Sequence, residues 1–160
     1  MSASEVSVSL DIPAPPQRVW DVVTDVTVMP RFSSELQRVE WDDGFTGAGL
    51  GARFLGTNRH RAVGEWTTRC EIVEFEPCRA FGWAVGDPAK PAAIWSFALS
   101  PTEAGTRLTY TGRIGPGRSG VSMLIERAPD RADEIVANRL EEFRAGITAT
   151  LAGIRELVTG

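Results

Sequence analysis

Histidine, cysteine and tyrosine are all scarce in this chain, with one His, two Cys and one Tyr in 160 residues. A histidine pair for a metal is therefore excluded, and a His-based triad has only one candidate base. Basic charge is also short. Seventeen Lys plus Arg against 21 Asp plus Glu leave a net charge of −4, which offers no electrostatic footprint for nucleic acid or an anionic membrane surface. No stretch approaches the roughly 20 consecutive apolar residues of a membrane helix. The opening Met1-Ser2-Ala3-Ser4-Glu5 has neither the basic nor the apolar character of a targeting segment. These deficits predict a cytoplasmic protein that works without nucleic acid, integral membrane association, metal or cofactor. Cys70 and Cys78 are eight positions apart. If they lie on or just past one extended strand, at about 3.3 Å per residue they stand beyond bridging distance, and reduced thiols are expected.

Tryptophan, by contrast, is plentiful, with five Trp beside seven Phe. Such large flat side chains suit either a core or the wall of a ligand site. The proportions, 42% hydrophobic and 24% charged, fit one domain over residues 1–160. A chain of this length buries roughly two-thirds of the surface its unfolded form exposes and needs no staple.

Glu5 to Ile12 alternates apolar Val6, Val8, Leu10 and Ile12 with polar residues, the period of a strand with one buried face. Pro13, Pro15 and Pro16 end it. Gln17 to Thr24 then reads as a helix with Val19, Trp20, Val22 and Val23 on its apolar side, and Pro30 is expected to open a second short helix carrying Phe32. Six further strands follow, each separated by a break containing Gly or Pro: Leu36 to Trp41, Ala52 to Arg61, Glu65 to Phe75, Ala80 to Val85, Ala93 to Leu99 and Thr106 to Ile114. After the elbow Gly115 to Gly120 and a helical turn over Val121 to Arg127, Asp130 is placed to cap a long helix. Leu140, Phe143, Ile147, Leu151, Ile154 and Val158 recur along it at steps of three and four. From Arg131 to Val158 it would run about 42 Å at 1.5 Å per residue, enough to cross a small sheet.

That order of elements, with Val19-Trp20-Asp21-Val22-Val23-Thr24-Asp25 before Met29-Pro30, Cys70-Glu71-Ile72-Val73-Glu74-Phe75-Glu76-Pro77 and Trp95-Ser96-Phe97, resembles the START-like (SRPBCC) superfamily of polyketide cyclases, dehydrases and lipid-transfer proteins. The resemblance covers essentially the whole chain. It implies an α+β helix-grip fold: a seven-stranded curved antiparallel sheet wrapped around the long C-terminal helix, with two short helices between strands 1 and 2. It also implies an elongated cavity between sheet and helix that takes a small hydrophobic molecule. Alternation selects the inward side chains. They are Phe54, Asn58 and His60, then Trp66, Thr68, Cys70 and Ile72, then Phe81 and Trp83, Trp95 and Phe97, and Tyr110. The expected ligand-binding set is Phe32, Phe54, Asn58, Trp66, Thr68, Cys70, Trp83, Trp95, Phe97, Tyr110, Phe143 and Ile147.

Aromatase and cyclase members of that superfamily carry Trp, Ser and Arg at alternating positions of the middle strand. The matching positions here are Trp66, Thr68 and Cys70, while Arg69 is one residue out of phase and so on the other face. His60 remains as either a lone general base at the cavity mouth or a solvated strand-end residue. Cys70 is either a nucleophile or a small packed hydrophobe, and Tyr110 either a core phenol or the group that orients a ligand carbonyl or hydroxyl. Gly47-Ala48-Gly49-Leu50-Gly51-Ala52 has the letters of a dinucleotide fingerprint but runs into a strand instead of a helix. Binding of a small hydrophobic molecule is the leading reading; a cofactor-independent cyclase or dehydratase and a protein-docking module are the alternatives. The elbow Gly115 to Gly120 and the tip Gly86 to Pro91 are the expected gate, with Val121, Met123 and Leu124 as its latch.

Overall fold

A computed structural model describes residues 4–160; Met1-Ser2-Ala3, part of the stretch read above for targeting character, lie outside the described residues. The elements are β1 (Glu5–Ile12), α1 (Pro16–Val23), a 3-10 helix (Val26–Arg31), β2 (Leu36–Trp41), β3 (Arg53–His60), β4 (Gly64–Glu76), β5 (Ala80–Val85), β6 (Ala93–Thr102) and β7 (Gly105–Ile114). Then come α2 (Gly120–Arg127), a 3-10 turn (Pro129–Arg131) and α3 (Ala132–Thr159). The seven strands form one antiparallel sheet in the order β1-β7-β6-β5-β4-β3-β2, so the first strand is hydrogen-bonded to the last. This is the helix-grip α+β architecture, with the two short helices between strands 1 and 2.

Local chemistry sets the boundaries. Pro16 opens α1, where its missing N–H has no intrahelical partner to lose, and the helix buries Val19, Trp20 and Val23. Pro30 does not open the second short helix but sits inside it. The Asp25 carboxylate accepts from the Thr27 N–H at 3.2 Å, so the helix starts at Val26. Asp130 likewise does not cap α3. It is built into the 3-10 turn, and Arg131 holds the cap position without capping a backbone N–H by its side chain, which donates to Glu134 instead. Asp133 and Glu134 in the first turn of α3 complement the positive end of its dipole.

α3 packs on β1, β7, α1 and α2. Its deep seat begins at Phe143 and continues through Ile147, Thr150, Leu151, Ile154 and Val158, whereas Ile135, Val136, Arg139 and Leu140 are only half-buried. The N-terminal third of the helix thus lies over a less filled part of the sheet.

β4 contains an irregularity that alternation does not announce. Ile72 pairs with Trp83 but Glu74 pairs with Gly82, which leaves Val73 as an extra residue. Beyond it the inward face switches from even to odd positions. Phe75 meets Trp20 at 5.3 Å between ring centroids, and Val73 is 43% exposed.

Candidate functional site

The inward side chains of β3 to β7 meet α3 as a continuous run of rings. Phe54 lies 5.9 Å from Trp83, Trp83 lies 6.2 Å from Phe97 and 6.4 Å from Tyr110, and Phe97 stacks on Tyr110 at 4.0 Å. Trp95 reaches α3 at Phe143, 4.6 Å between centroids. It has room because Gly112 is its partner on β7: a Cβ there would stand 2.5 Å from Trp95 Cζ3. Phe97 and Ile147 are 0% and 1% exposed and act as core. Phe32 packs on the α3 backbone, since a Cβ on Gly153 would fall 2.2 Å from its Cδ1. The space that the family resemblance assigns to an elongated cavity is therefore filled over β5 to β7 by mutual ring contact. Two surface depressions, of about 330 Å³ beside Arg53, Arg69 and Asp87 and about 500 Å³ beside Asp11, Thr102 and Arg155, lie outside the grip.

Toward the β2 edge the packing opens. Asn58 and Trp66 face each other in register, and both are half-buried, as are Leu36, His60 and Thr68. Trp66 makes no ring contact or hydrogen bond among the described residues, so its indole face and N–H are uncommitted. Asn58 Nδ2 only reaches its own strand, 3.5 Å from the Gly56 carbonyl. The Thr68 hydroxyl lies 3.9 Å from Cys70 Sγ. Tyr110, 7% exposed, makes no hydrogen bond among the described residues, yet no fully enclosed side-chain oxygen or nitrogen there lacks a partner. Its hydroxyl therefore borders space that a water-sized group can enter.

Burial also fixes protonation. It pushes the Cys70 thiol up to about 12, with Thr68 pulling weakly the other way. Burial, and then the charge a Cys70 thiolate would carry, push the Tyr110 phenol well above its ordinary value. Both groups stay protonated near neutrality. Cys70 is a packed thiol without a base at hand, and both cysteines are free.

The rim carries a charged cluster that the apolar pattern of α3 concealed. Arg139 donates through Nη1 and Nη2 to the two Glu35 oxygens at 2.7 and 2.9 Å, and through Nη1 to Glu142 at 3.0 Å. His60 Nδ1 accepts from the Ala62 N–H at 3.0 Å, so Nε2 carries the proton and donates it to Glu142 at 2.8 Å. The His60 side chain is 14% exposed. It is therefore not a solvated strand-end residue, and neither nitrogen is free to act as a base. Burial alone would raise the Glu142 carboxyl, but the hydrogen bonds from His60 and Arg139 and the guanidinium charge outweigh it and hold the group below its ordinary value. Burial opposes the Arg139 charge, and Glu35 and Glu142 more than restore it. Donor atoms of Glu35, His60 and Glu142 lie within 4.8 Å of one another, but a metal ion would have to displace the guanidinium that already bridges the two carboxylates. Only Arg139 and Glu142, three apart on α3, are neighbours along the chain; Glu35 and His60 join them through the fold alone.

The elbow and the tip expected to form a gate are fastened together. Gly115 and Gly117 N–H donate to the carbonyls of Ala92 and Pro91 at 2.9 and 2.8 Å. A Cβ on Gly117 would stand 2.3 Å from the Lys90 carbonyl oxygen, so the approach requires glycine. α2 then rests by Gly120 on Val63 of the β3–β4 tip.

Comparison with known proteins agrees with this architecture. The solution structure of the Polyketide_cyc-like protein Cgl2372 from Corynebacterium glutamicum is 30% identical, covers 99% of this chain and 94% of its own, and superposes with a TM-score of 0.70. The Zhui aromatase/cyclase from Streptomyces sp. R1128 is 21% identical over 96% of this chain and 94% of its own, TM-score 0.65. The di-domain ARO/CYC BexL of the BE-7585A biosynthetic pathway is 16% identical over 95% of this chain and 48% of its own, TM-score 0.67. No functionally curated protein matches. With the polyketide cyclase / dehydrase and lipid transport profile matching residues 3–152, the seven-stranded grip and its long helix identify the chain as a member of that family.

Proposed function

We propose that this protein binds a small hydrophobic molecule between the inner face of β2 to β4 and the N-terminal third of α3. The observation that carries the reading is the strip of half-buried, under-used groups there: the Trp66 indole, the Asn58 amide and the Thr68 hydroxyl, with the Tyr110 hydroxyl beyond them. An apolar surface with a few convergent polar groups is how ligand sites are built. Phe54, Cys70, Trp83, Trp95 and Phe143 form the inner wall, and a larger ligand enters by parting the ring contacts of Trp95 with Phe143 and Tyr110. Phe32, Phe97 and Ile147 support that wall from behind.

The geometry favours carriage over a cyclase or dehydratase reaction. A proton abstraction needs a base free to take the proton; here the Cys70 thiol and Tyr110 phenol are protonated, both His60 nitrogens are engaged, and the Glu35 and Glu142 carboxylates are tied to Arg139. A melting screen with sterols, fatty alcohols, aromatic polyketides and flavonoids tests the reading. A ligand at about a hundred times its dissociation constant stabilises the fold by about 2.7 kcal/mol, which for this size raises the midpoint by about 5–10 °C. A panel that leaves the transition unmoved transfers the argument to protein docking.

A further inference from the structure

Of the 17 Lys and Arg, Arg139 alone is not exposed. It is the one cation drawn in toward the strip, and it is already committed. Its Nη atoms make three contacts with two carboxylates, and its guanidinium lies over the Phe143 ring, 4.9 Å from the centroid. With His60 neutral, Glu35, Glu142 and Arg139 sum to a formal charge of −1. The other basic residues near this end point away: Arg59 pairs with Glu65, and Arg61 is exposed in the turn. A ligand carboxylate or phosphate arriving beside Asn58 and Trp66 would lose its hydration and find no free cation. Burial of an unpaired anion next to net negative charge is strongly unfavourable.

The same strip offers the uncommitted Trp66 N–H, the Asn58 amide with one long 3.5 Å bond to the Gly56 carbonyl, and a Trp66 face with no ring on it. A flat molecule can stack there and accept hydrogen bonds through a carbonyl or hydroxyl.

Building on the proposed binding role, we infer that Glu35 and Glu142 are specificity-determining residues: by consuming Arg139 they make the site select uncharged flat aromatic molecules and reject the carboxylates of the same shape. The two carboxylates act on the ligand through the charge they leave at the rim and not by touching it. A fatty acid or acidic aromatic is thereby excluded even though its apolar part fits.

The test uses the whole chain at about pH 8 and isothermal titration with 2-naphthamide and 2-naphthoate, which differ in charge and hardly in shape. The amide is expected to bind at least about tenfold more tightly. Glu142→Gln leaves one acceptor oxygen where the carboxylate offers one each to Arg139 and His60, and brings the rim to neutrality; it should strengthen naphthoate binding about fivefold or more while the amide changes by less than about twofold. Glu35→Gln, checked with Glu142→Gln for unchanged circular dichroism, should move selectivity in the same direction. Equal or tighter binding of naphthoate to the unaltered protein overturns the inference, as does a ratio that both substitutions leave unchanged. If neither naphthalene binds, the proposed binding role fails and the selectivity with it.

Discussion

Arg139→Met removes the charge at the centre of the rim cluster but keeps an unbranched apolar stem against Phe143. Breaking a fully buried ion pair costs about 3–5 kcal/mol, because the partner is left charged and unsatisfied. Here the side chains of Arg139, Glu35 and Glu142 are 20%, 28% and 36% exposed, so water recovers part of that loss and about 2 kcal/mol is the reasoned figure. For a domain of this length that lowers the midpoint by about 4–8 °C. The pH dependence is the sharper part. The folded Glu142 carboxyl lies below its ordinary value, so the stabilisation is present above the unfolded carboxyl pKa of about 4.3 and is lost as pH falls through the lower folded value. The gap between unaltered and variant protein in urea titrations should therefore be widest near neutrality and narrow below about pH 4. A loss under about 0.5 kcal/mol at neutrality, or a gap of the same size at pH 7 and pH 3, would refute this account of the cluster.

Two other perturbations test the packing. On α3, Gly146→Ala meets open space and should stabilise by about 0.5–1 kcal/mol through helix propensity alone. Gly153→Ala places a Cβ 2.2 Å from the Phe32 ring and should destabilise by about 1–3 kcal/mol; urea titration reads both, and equal signs would mean Phe32 is misplaced. Because the folded Cys70 thiol is raised to about 12, stability should decline as pH rises from about 8.5 toward that value, and Cys70→Ala should flatten the decline.

Most of the architecture was legible because its signals are local. β2 and β5 fall at the residues the alternation and turn chemistry mark, and the apolar stripe of α3 from Phe143 to Val158 is the face the sheet covers. The errors came where a second local device intervened. Asp25 starts the 3-10 helix ahead of Pro30, and a 3-10 turn takes up Asp130. Of the site, the period-two reading of β3 and β4 brought Asn58, Trp66 and Thr68 to one strip. It missed the charged rim, because Glu35 and Arg139 are 104 positions apart and His60 and Glu142 are 82 apart. No period connects such residues, and only the fold brings them together. The filling of the grip by rings was equally hidden, since alternation fixes which way Trp83, Trp95 and Tyr110 point but not whether they touch.

The pairing of β1 with β7 has a kinetic meaning. Glu5 finds Arg113 and Ile12 finds Thr106, so a strand near the start of the chain has no partner until the last strand of the sheet exists. During synthesis it must wait for about a hundred further residues, at 5–20 residues per second for several seconds or more, with one apolar edge uncovered. α3, which packs on both strands, is made later still. Closure of the sheet's β1 end and seating of the helix therefore belong to the final, non-local stage of folding, when loop-closure entropy is greatest. The β2-to-β7 meander of neighbouring hairpins is expected to form first, with β1 and α3 completing it.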